Sequence, residues 1–295
     1  MPSLLDIRIG TLAPLDRGAT YLKQMLPHGF ESFSLTFWKQ IGAVDLEGSA
    51  REVLDVLGDQ AQVSALTMFG NPLQDEQAAR DIARCIDAAH LYNCRLVSGF
   101  AGAIEGKPLP DSLPAFKKVW TELAKRAEDK GVRLALENCD MGGTWKGPLW
   151  NIAHASTAWE MIFNEVPSPN LGLEWEPCHQ LVSLVDPIAQ LREWIGSGKI
   201  FHVHGKDATV AWDVIKRYGI RAGKPYVWHR TPGFGDTNWT DVISILRMNG
   251  YRGTIDIEGW HDPAYKDELE TTAQVHALNY LKHCRGGATA APNPR

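Results

Sequence analysis

A single (β/α)8 TIM barrel with its chemistry at the carboxyl ends of the strands is the fold this sequence predicts, and three observations predict it. Short apolar or β-branched runs alternate with amphipathic stretches of about three turns, the rhythm of parallel βα units. The units number eight over 295 residues, a length that one such barrel uses whole. Four runs stop on a residue type that binds metals: Leu134-Ala135-Leu136-Glu137, Leu171-Gly172-Leu173-Glu174-Trp175-Glu176, Ile200-Phe201-His202-Val203-His204 and Thr254-Ile255-Asp256-Ile257-Glu258. Glutamate and histidine are poor strand formers, so an apolar run ending on one carries a polar group to the rim of a core.

Taken in order, the strands are expected at Ile7 to Gly10, Ser32 to Thr36, Gln62 to Met68, Arg95 to Ser98, Val132 to Glu137, Leu171 to Glu176, Ile200 to His204 and Thr254 to Glu258. Helices are expected after each, near Thr20 to Leu26, Ser49 to Leu57, Asp75 to Leu91, Leu113 to Lys130, Ser156 to Asn164, Pro187 to Ile195, Trp239 to Met248 and Asp267 to His283. Capping chemistry marks several ends. Asp111-Ser112 and Asn238 precede helices, and Gly131 and Gly250 close them. The connection from Gly205 to Gly253 is much longer than the others and carries Trp212, Tyr218, Trp228-His229-Arg230 and Pro232-Gly233-Phe234-Gly235-Asp236, which makes it a candidate lid. One domain over residues 1–285 and a Gly, Ala and Pro-rich tail over 286–295 complete the expected organisation.

Composition narrows the function classes. With 44% hydrophobic and 22% charged residues the chain is an ordinary globular protein. A net charge of −5 with scattered lysines and arginines offers no basic stripe for DNA or RNA. No run of about 18 apolar residues exists to cross a bilayer, and residues 1–10 lack the zones of a secretory signal, so a cytoplasmic location is expected. Five cysteines without a C-x-x-C pair argue against a disulfide framework and a zinc ribbon.

Three carboxylates and an imidazole brought together repel unless a cation sits among them, and so oxygen-rich a set suits manganese or magnesium better than a soft metal. Residues two apart on a strand share a face. His202 therefore lies below His204 and Asp256 below Glu258 on the barrel interior, with His202 read as a hydrogen-bonded core histidine.

Five local patterns carry a resemblance: Leu136-Glu137-Asn138; Gly172-Leu173-Glu174-Trp175-Glu176-Pro177-Cys178-His179; His202-Val203-His204-Gly205-Lys206-Asp207; Arg230-Thr231-Pro232-Gly233-Phe234-Gly235-Asp236-Thr237-Asn238-Trp239; and Gly250-Tyr251-Arg252-Gly253-Thr254-Ile255-Asp256-Ile257-Glu258. In these the chain resembles the sugar phosphate isomerase/epimerase family, the xylose-isomerase-like TIM barrels. The resemblance implies one divalent ion, most often Mn2+ with Mg2+ or Co2+ as alternatives, held by Glu137, Glu176, His204 and Glu258. It also implies a paired acid and base in Glu137 and Glu258, a polar positioning role for His179, a small carbohydrate substrate, and the homo-oligomers common among such barrels. Glu176 departs from the pattern, which has aspartate before Pro-x-His, and Glu174 on the same strand face is the substitute ligand.

A metal bound to a hydroxy-ketone or hydroxy-aldehyde polarises the carbonyl and stabilises the enediolate left when a neighbouring C–H proton is removed. Returning the proton to the opposite face gives epimerisation, and returning it to the neighbouring carbon gives isomerisation. Loss of a leaving group from the next carbon instead makes a lyase, hydratase or deglycosidase of 3-oxo-sugars, and the aromatic loop Asp140 to Trp150 is a candidate to receive a bulky aglycone. Lys206, Asp207 and Arg230 are candidates for sugar hydroxyls or a terminal anion, with rim salt bridges the plainer alternative. Trp38, Trp145, Trp175, Trp228 and Trp260 fall at strand ends where sugar C–H faces pack, whereas Trp120, Trp159, Trp194 and Trp239 read as core or seam residues. A thiolate at Cys139 or Cys178, the latter with His179, is a minor alternative, and His154 reads as a polar contact at a helix start. An apurinic endonuclease would need histidines at the second to fourth strand ends; Thr36-Phe37-Trp38, Met68-Phe69-Gly70 and Ser98-Gly99-Phe100 stand there. A non-catalytic sugar-binding barrel is the remaining alternative.

Overall fold

A computed structural model describes residues 6–290. Its strands are β1 (Arg8–Pro14), β2 (Ser32–Trp38), β3 (Gln62–Phe69), β4 (Leu96–Gly99), β5 (Arg133–Glu137), β6 (Leu171–Trp175), β7 (Ile200–Gly205), β8 (Asp207–Val210), β9 (Val227–Arg230) and β10 (Thr254–Ile257). All except β8 and β9 close into one barrel, in the order β1-β10-β7-β6-β5-β4-β3-β2. Pairing is parallel from β2 through β7 and between β1 and β10. The chain is a single TIM barrel of the α/β class.

Helices alternate with the strands: α1 (Gly18–Met25), α2 (Leu46–Leu57), α3 (Glu76–Ala88), α4 (Leu113–Lys130), α5 (Ser156–Glu165), α6 (Cys178–Val182), α7 (Pro187–Ile195), α8 (Trp212–Tyr218), α9 (Trp239–Met248) and α10 (Glu270–Cys284). Side chains fix several starts. Asp45 accepts from the Glu47 N–H, Asp75 from Gln77, Asp186 from Ile188 and Ala189, and Asn238 from Asp241. Gly131 closes α4 at φ 64°, where a residue without Cβ is at ease. Ser112 departs from the capping expectation, because its hydroxyl accepts from the Ile104 N–H instead.

Packing falls into two groups of segments. Residues 12–175 and 198–203 make one, built around β2 to β6 with α1 to α5. Residues 6–11, 176–197 and 204–290 make the other, with the hairpin β8-β9, β10 and α6 to α10. β1 and β7 each pass from one group to the other within a single strand. Residues 291–295, half of the expected tail, lie outside the described residues.

The strand ends differ from expectation where local chemistry intervenes. β1 continues to Pro14, and β6 stops at Trp175 because Pro177 has no N–H to extend a ladder and constrains the residue before it. The segment 205–253 is an ordered excursion, β8 pairing antiparallel with β9 around α8. Gly172 is required by packing: a Cβ there would collide with the Phe201 ring and the Lys199 carbonyl.

Candidate active site

Strand register delivers the candidate ligands to one rim. Glu137 ends β5 in register with Glu174 of β6. Glu176 follows β6 by one residue, His204 lies in β7, and Glu258 follows β10, donating its N–H to the Gly205 carbonyl (3.2 Å). One ligand atom from each of Glu137, Glu176, His204 and Glu258 lies within 4.8 Å of the others, and all four residues are buried.

A second layer lies beneath. His202 Nδ1 is 2.6 Å from Glu174 Oε2, both buried, and the pair clusters with His204. Glu174 is thus engaged by a histidine while Glu176 stands in the acidic quartet. Asp256 accepts from the Thr254 hydroxyl (3.0 Å).

Two flanking residues set the electrostatics. Lys206 donates from Nζ to Glu258 Oε1, and His204 Nδ1 lies 3.4 Å from Glu258 Oε2. Burial pushes the Glu258 carboxyl up, but the Lys206 ammonium and His204 outweigh it and hold the group well below the usual carboxylate range. His179 Nε2 is 2.7 Å from Glu176 Oε1. Its ring meets His229 edge-on at 5.4 Å between centroids, and His229 meets His261 at 5.8 Å. Burial, then the Lys206 charge and His179, lower the His229 imidazole to about 4, so it is neutral near neutral pH.

The donor set fits a divalent cation. Two carboxylates about 4.8 Å apart repel by roughly 3–4 kcal/mol at an effective dielectric constant of about 20. The Lys206 ammonium beside Glu258 meets one of the three carboxylates, and a cation among the four ligand atoms would offset the repulsion of the set. Three carboxylate oxygens and one imidazole nitrogen are ligands that manganese and zinc both accept, with the oxygen majority favouring the harder ion.

The other expected residues divide. Asp207, the first residue of β8, ties that strand to the segment that leads into α9: it accepts from Ala208 N–H, Thr237 N–H, the Thr237 hydroxyl and Trp239 Nε1, and a Cβ at Gly235 would strike its carboxylate. Such a group anchors the segment after β9, and both of its oxygens already accept hydrogen bonds from within the protein, in place of the sugar hydroxyls expected from the sequence. Arg230 pairs with Asp262 (3.2 Å) and lies over the Phe234 ring, as in the rim salt bridge alternative. Trp38 is exposed and stacks on Trp150, Trp145 and Trp228 are exposed, and Trp260 is half-buried. Trp175 is fully buried, a core residue and not a rim one, whereas Trp120, Trp159, Trp194 and Trp239 are buried as expected.

The Cys178 thiol is pushed far up by burial, with Sγ 3.5 Å from His229 Nδ1; a protonated buried thiol is a poor nucleophile. His154 lies half-buried two residues before α5. Sequence reasoning missed His229 and His261. The sole signal for His229 was its place in the aromatic and basic triplet Trp228-His229-Arg230.

A (β/α)8 barrel with a buried acidic cluster at its strand ends is the class that fold and site define. The chain belongs to the xylose isomerase-like TIM barrel family, whose model matches residues 22–283. It is 27% identical over 205 residues to inosose dehydratase of Clostridium tetani, covering 65% of this chain and 66% of that protein. It is 26% identical over 231 residues to inosose isomerase of Halalkalibacterium halodurans, covering 74% and 75%. Among solved structures, the IOLI protein with a bound zinc atom superposes with a TM-score of 0.68 at 17% identity, covering 95% of this chain and 98% of that one. Among the described residues no helix is long and apolar enough to cross a membrane.

Proposed function

We propose that the protein is a divalent-metal-dependent carbohydrate isomerase or 3-epimerase that removes a proton from the carbon beside a carbonyl. The observation that carries this reading is the buried quartet of Glu137, Glu176, His204 and Glu258, with ligand atoms within 4.8 Å and Lys206 on one carboxylate. These four would hold the ion, Mn2+ by preference. When bound, it supplies the positive charge that polarises the substrate carbonyl and makes the adjacent C–H acidic.

Glu137 and Glu258 act as the acid and base pair. Lys206 keeps Glu258 ionised, the form that accepts a proton, and fixes the carboxylate in place. His179, neutral or charged, orients Glu176 through their 2.7 Å contact and presents its ring beside His229. The neutral His229, whose Nδ1 lies 3.5 Å from Cys178 Sγ, presents Nε2 to a substrate hydroxyl.

The same step serves a lyase that acts on 3-oxo-sugars or 3-oxo-glycosides by β-elimination. Similarity to a dehydratase and to an isomerase at nearly equal identity keeps both outcomes of one proton abstraction in view. Incubation with a panel of keto-sugars in deuterated buffer, with and without Mn2+, Mg2+, Co2+ or Zn2+, separates them. Metal-dependent exchange with sugar recovered supports the isomerase or epimerase. Release of a dehydrated product or an aglycone supports the lyase. Neither exchange nor product with any metal would overturn both.

A further inference from the structure

The ends of three successive strands each carry an aromatic ring: Trp38 closes β2, Phe69 closes β3 and Phe100 follows β4. The rings form a chain, Phe100 to Phe69 at 5.1 Å between centroids and Phe69 to Trp38 at 6.1 Å. Trp150, from the loop after β5, stacks on Trp38 at 5.7 Å and 28°, and Lys39 Nζ lies 5.2 Å from the Trp150 centroid. Phe69 and Phe100 are buried, whereas Trp38 is 58% exposed, an unusual state for so large an apolar side chain.

Two of the non-glycine residues with positive φ flank this platform. Lys39 and Trp150 adopt φ of 66° and 60°, a left-handed conformation that non-glycine residues seldom take. Strain of this kind persists where the surroundings over-determine it, and it gathers at binding sites. The surroundings do so: the Lys39 N–H donates to the Phe69 carbonyl (2.8 Å). Asn151, next to Trp150, donates to the carbonyls of Glu137 (2.8 Å) and Cys139 (2.7 Å) and accepts from Ala101 (3.0 Å) and Ala153 (3.1 Å). Asn151 therefore locks Trp150 to the end of β5, where the candidate catalytic carboxylate begins.

We propose that Trp38 and Trp150, backed by Phe69 and Phe100 and flanked by Lys39, form a subsite for the flat aromatic aglycone of a glycoside whose sugar is the reacting part. This rests on the β-elimination form of the proposed function and names its substrate class. An aromatic occupant fits better than a second sugar because a pyranose needs donors and acceptors for its hydroxyls as well as a ring to lie on. The amides behind the platform are spent: Asn151 as above, and Asn71 on Ala103, Gln74 and Leu73. The hydroxyls of Ser34, Thr67 and Ser98 are bonded to one another. Of the groups named here, the exposed Trp38 ring and the Lys39 ammonium are the ones these bonds leave over, which suits a planar ring bearing a phenolic oxygen.

The test is fluorescence anisotropy of 4-methylumbelliferone titrated with the full-length protein, before and after chelator treatment. Saturable binding to one site is expected in both preparations, weakened about tenfold in Trp150→Leu and in Trp38→Leu, each removing one stacked ring. The mostly exposed Trp38 guards against a folding defect in the first variant, and circular dichroism checks both. Absence of saturable binding to the wild type would overturn the proposal, as would unchanged affinity in both variants. Displacement of the probe by cellobiose as readily as by 4-methylumbelliferyl glucoside would also overturn it, in favour of a second sugar. Because binding of the free aglycone needs neither metal nor proton transfer, it survives if the catalytic reading alone fails. Deuterium exchange in the absence of probe binding removes the subsite alone.

Discussion

Glu258 stands where two demands meet. It belongs to the acidic quartet and it takes the Lys206 ammonium, so its carboxylate is held ionised in a buried place. Glu258→Gln keeps the shape and removes both the charge and the proton acceptor. Turnover is expected to fall by about 10²- to 10⁴-fold with sugar binding retained, measured by steady-state kinetics beside equilibrium dialysis; undiminished turnover would remove Glu258 from the acid and base pair. Its partner Lys206 was legible as a polar rim residue and its attachment was not, because the contact joins residues 52 apart in the chain through side chains alone. Asp207 shows the same limit. Its neighbours in sequence look like a substrate motif, but its four donors come from the next residue of β8, from Thr237 and from the start of α9.

Among the elements, α4, α7 and α9 run over the residues expected for them, since glycine, aspartate and asparagine at their ends leave the backbone little choice. The hairpin β8-β9 was not legible, because two four-residue edge strands are separated by α8 and neither carries a long alternating pattern. One long-range tie was equally hidden. Arg247 of α9 makes two hydrogen bonds to Asp6 (2.6 and 2.8 Å) and one to the Arg285 carbonyl (2.6 Å), and Arg285 in turn reaches the Ile7 carbonyl (2.8 Å). The hydrogen bond from Arg247 holds the Asp6 carboxyl below its ordinary value. A lowered folded pKa means that the unfolded chain binds the proton more readily. The stabilisation is therefore full above the ordinary carboxylate range and is lost as pH falls through the folded value. Arg247→Met is expected to cost about 1 kcal/mol near neutral pH, the pair being partly exposed, with the deficit shrinking toward about pH 3. Urea denaturation at both pH values measures it, and an equal deficit at both would contradict the Asp6 assignment.

For the whole molecule, the barrel was legible because the strand and helix rhythm repeats eight times and each unit reinforces the next. The four candidate ligand positions were legible because an apolar run that ends on a polar or charged residue is conspicuous. Their strands, β5, β6, β7 and β10, are consecutive in the barrel order, which a sequence rhythm alone does not give. Three carboxylates buried side by side oppose folding, and a cation bound among them in the folded chain alone would stabilise it. At a free ion concentration of about 100 times Kd the linkage is about 2.7 kcal/mol, so Mn2+ is expected to raise Tm by about 4 °C over the chelated protein. Scanning calorimetry with and without chelator reads this shift, and superimposable transitions would remove the cation from the stability of the fold.

The most direct measurement is the metal content of the purified chain and of His204→Ala, by mass spectrometry after dialysis against trace Mn2+, alongside deuterium exchange on the same samples. One equivalent per wild-type chain, a small fraction of that in the variant, and exchange that tracks occupancy are predicted. Full exchange activity in wild-type protein stripped of divalent metal would contradict the account.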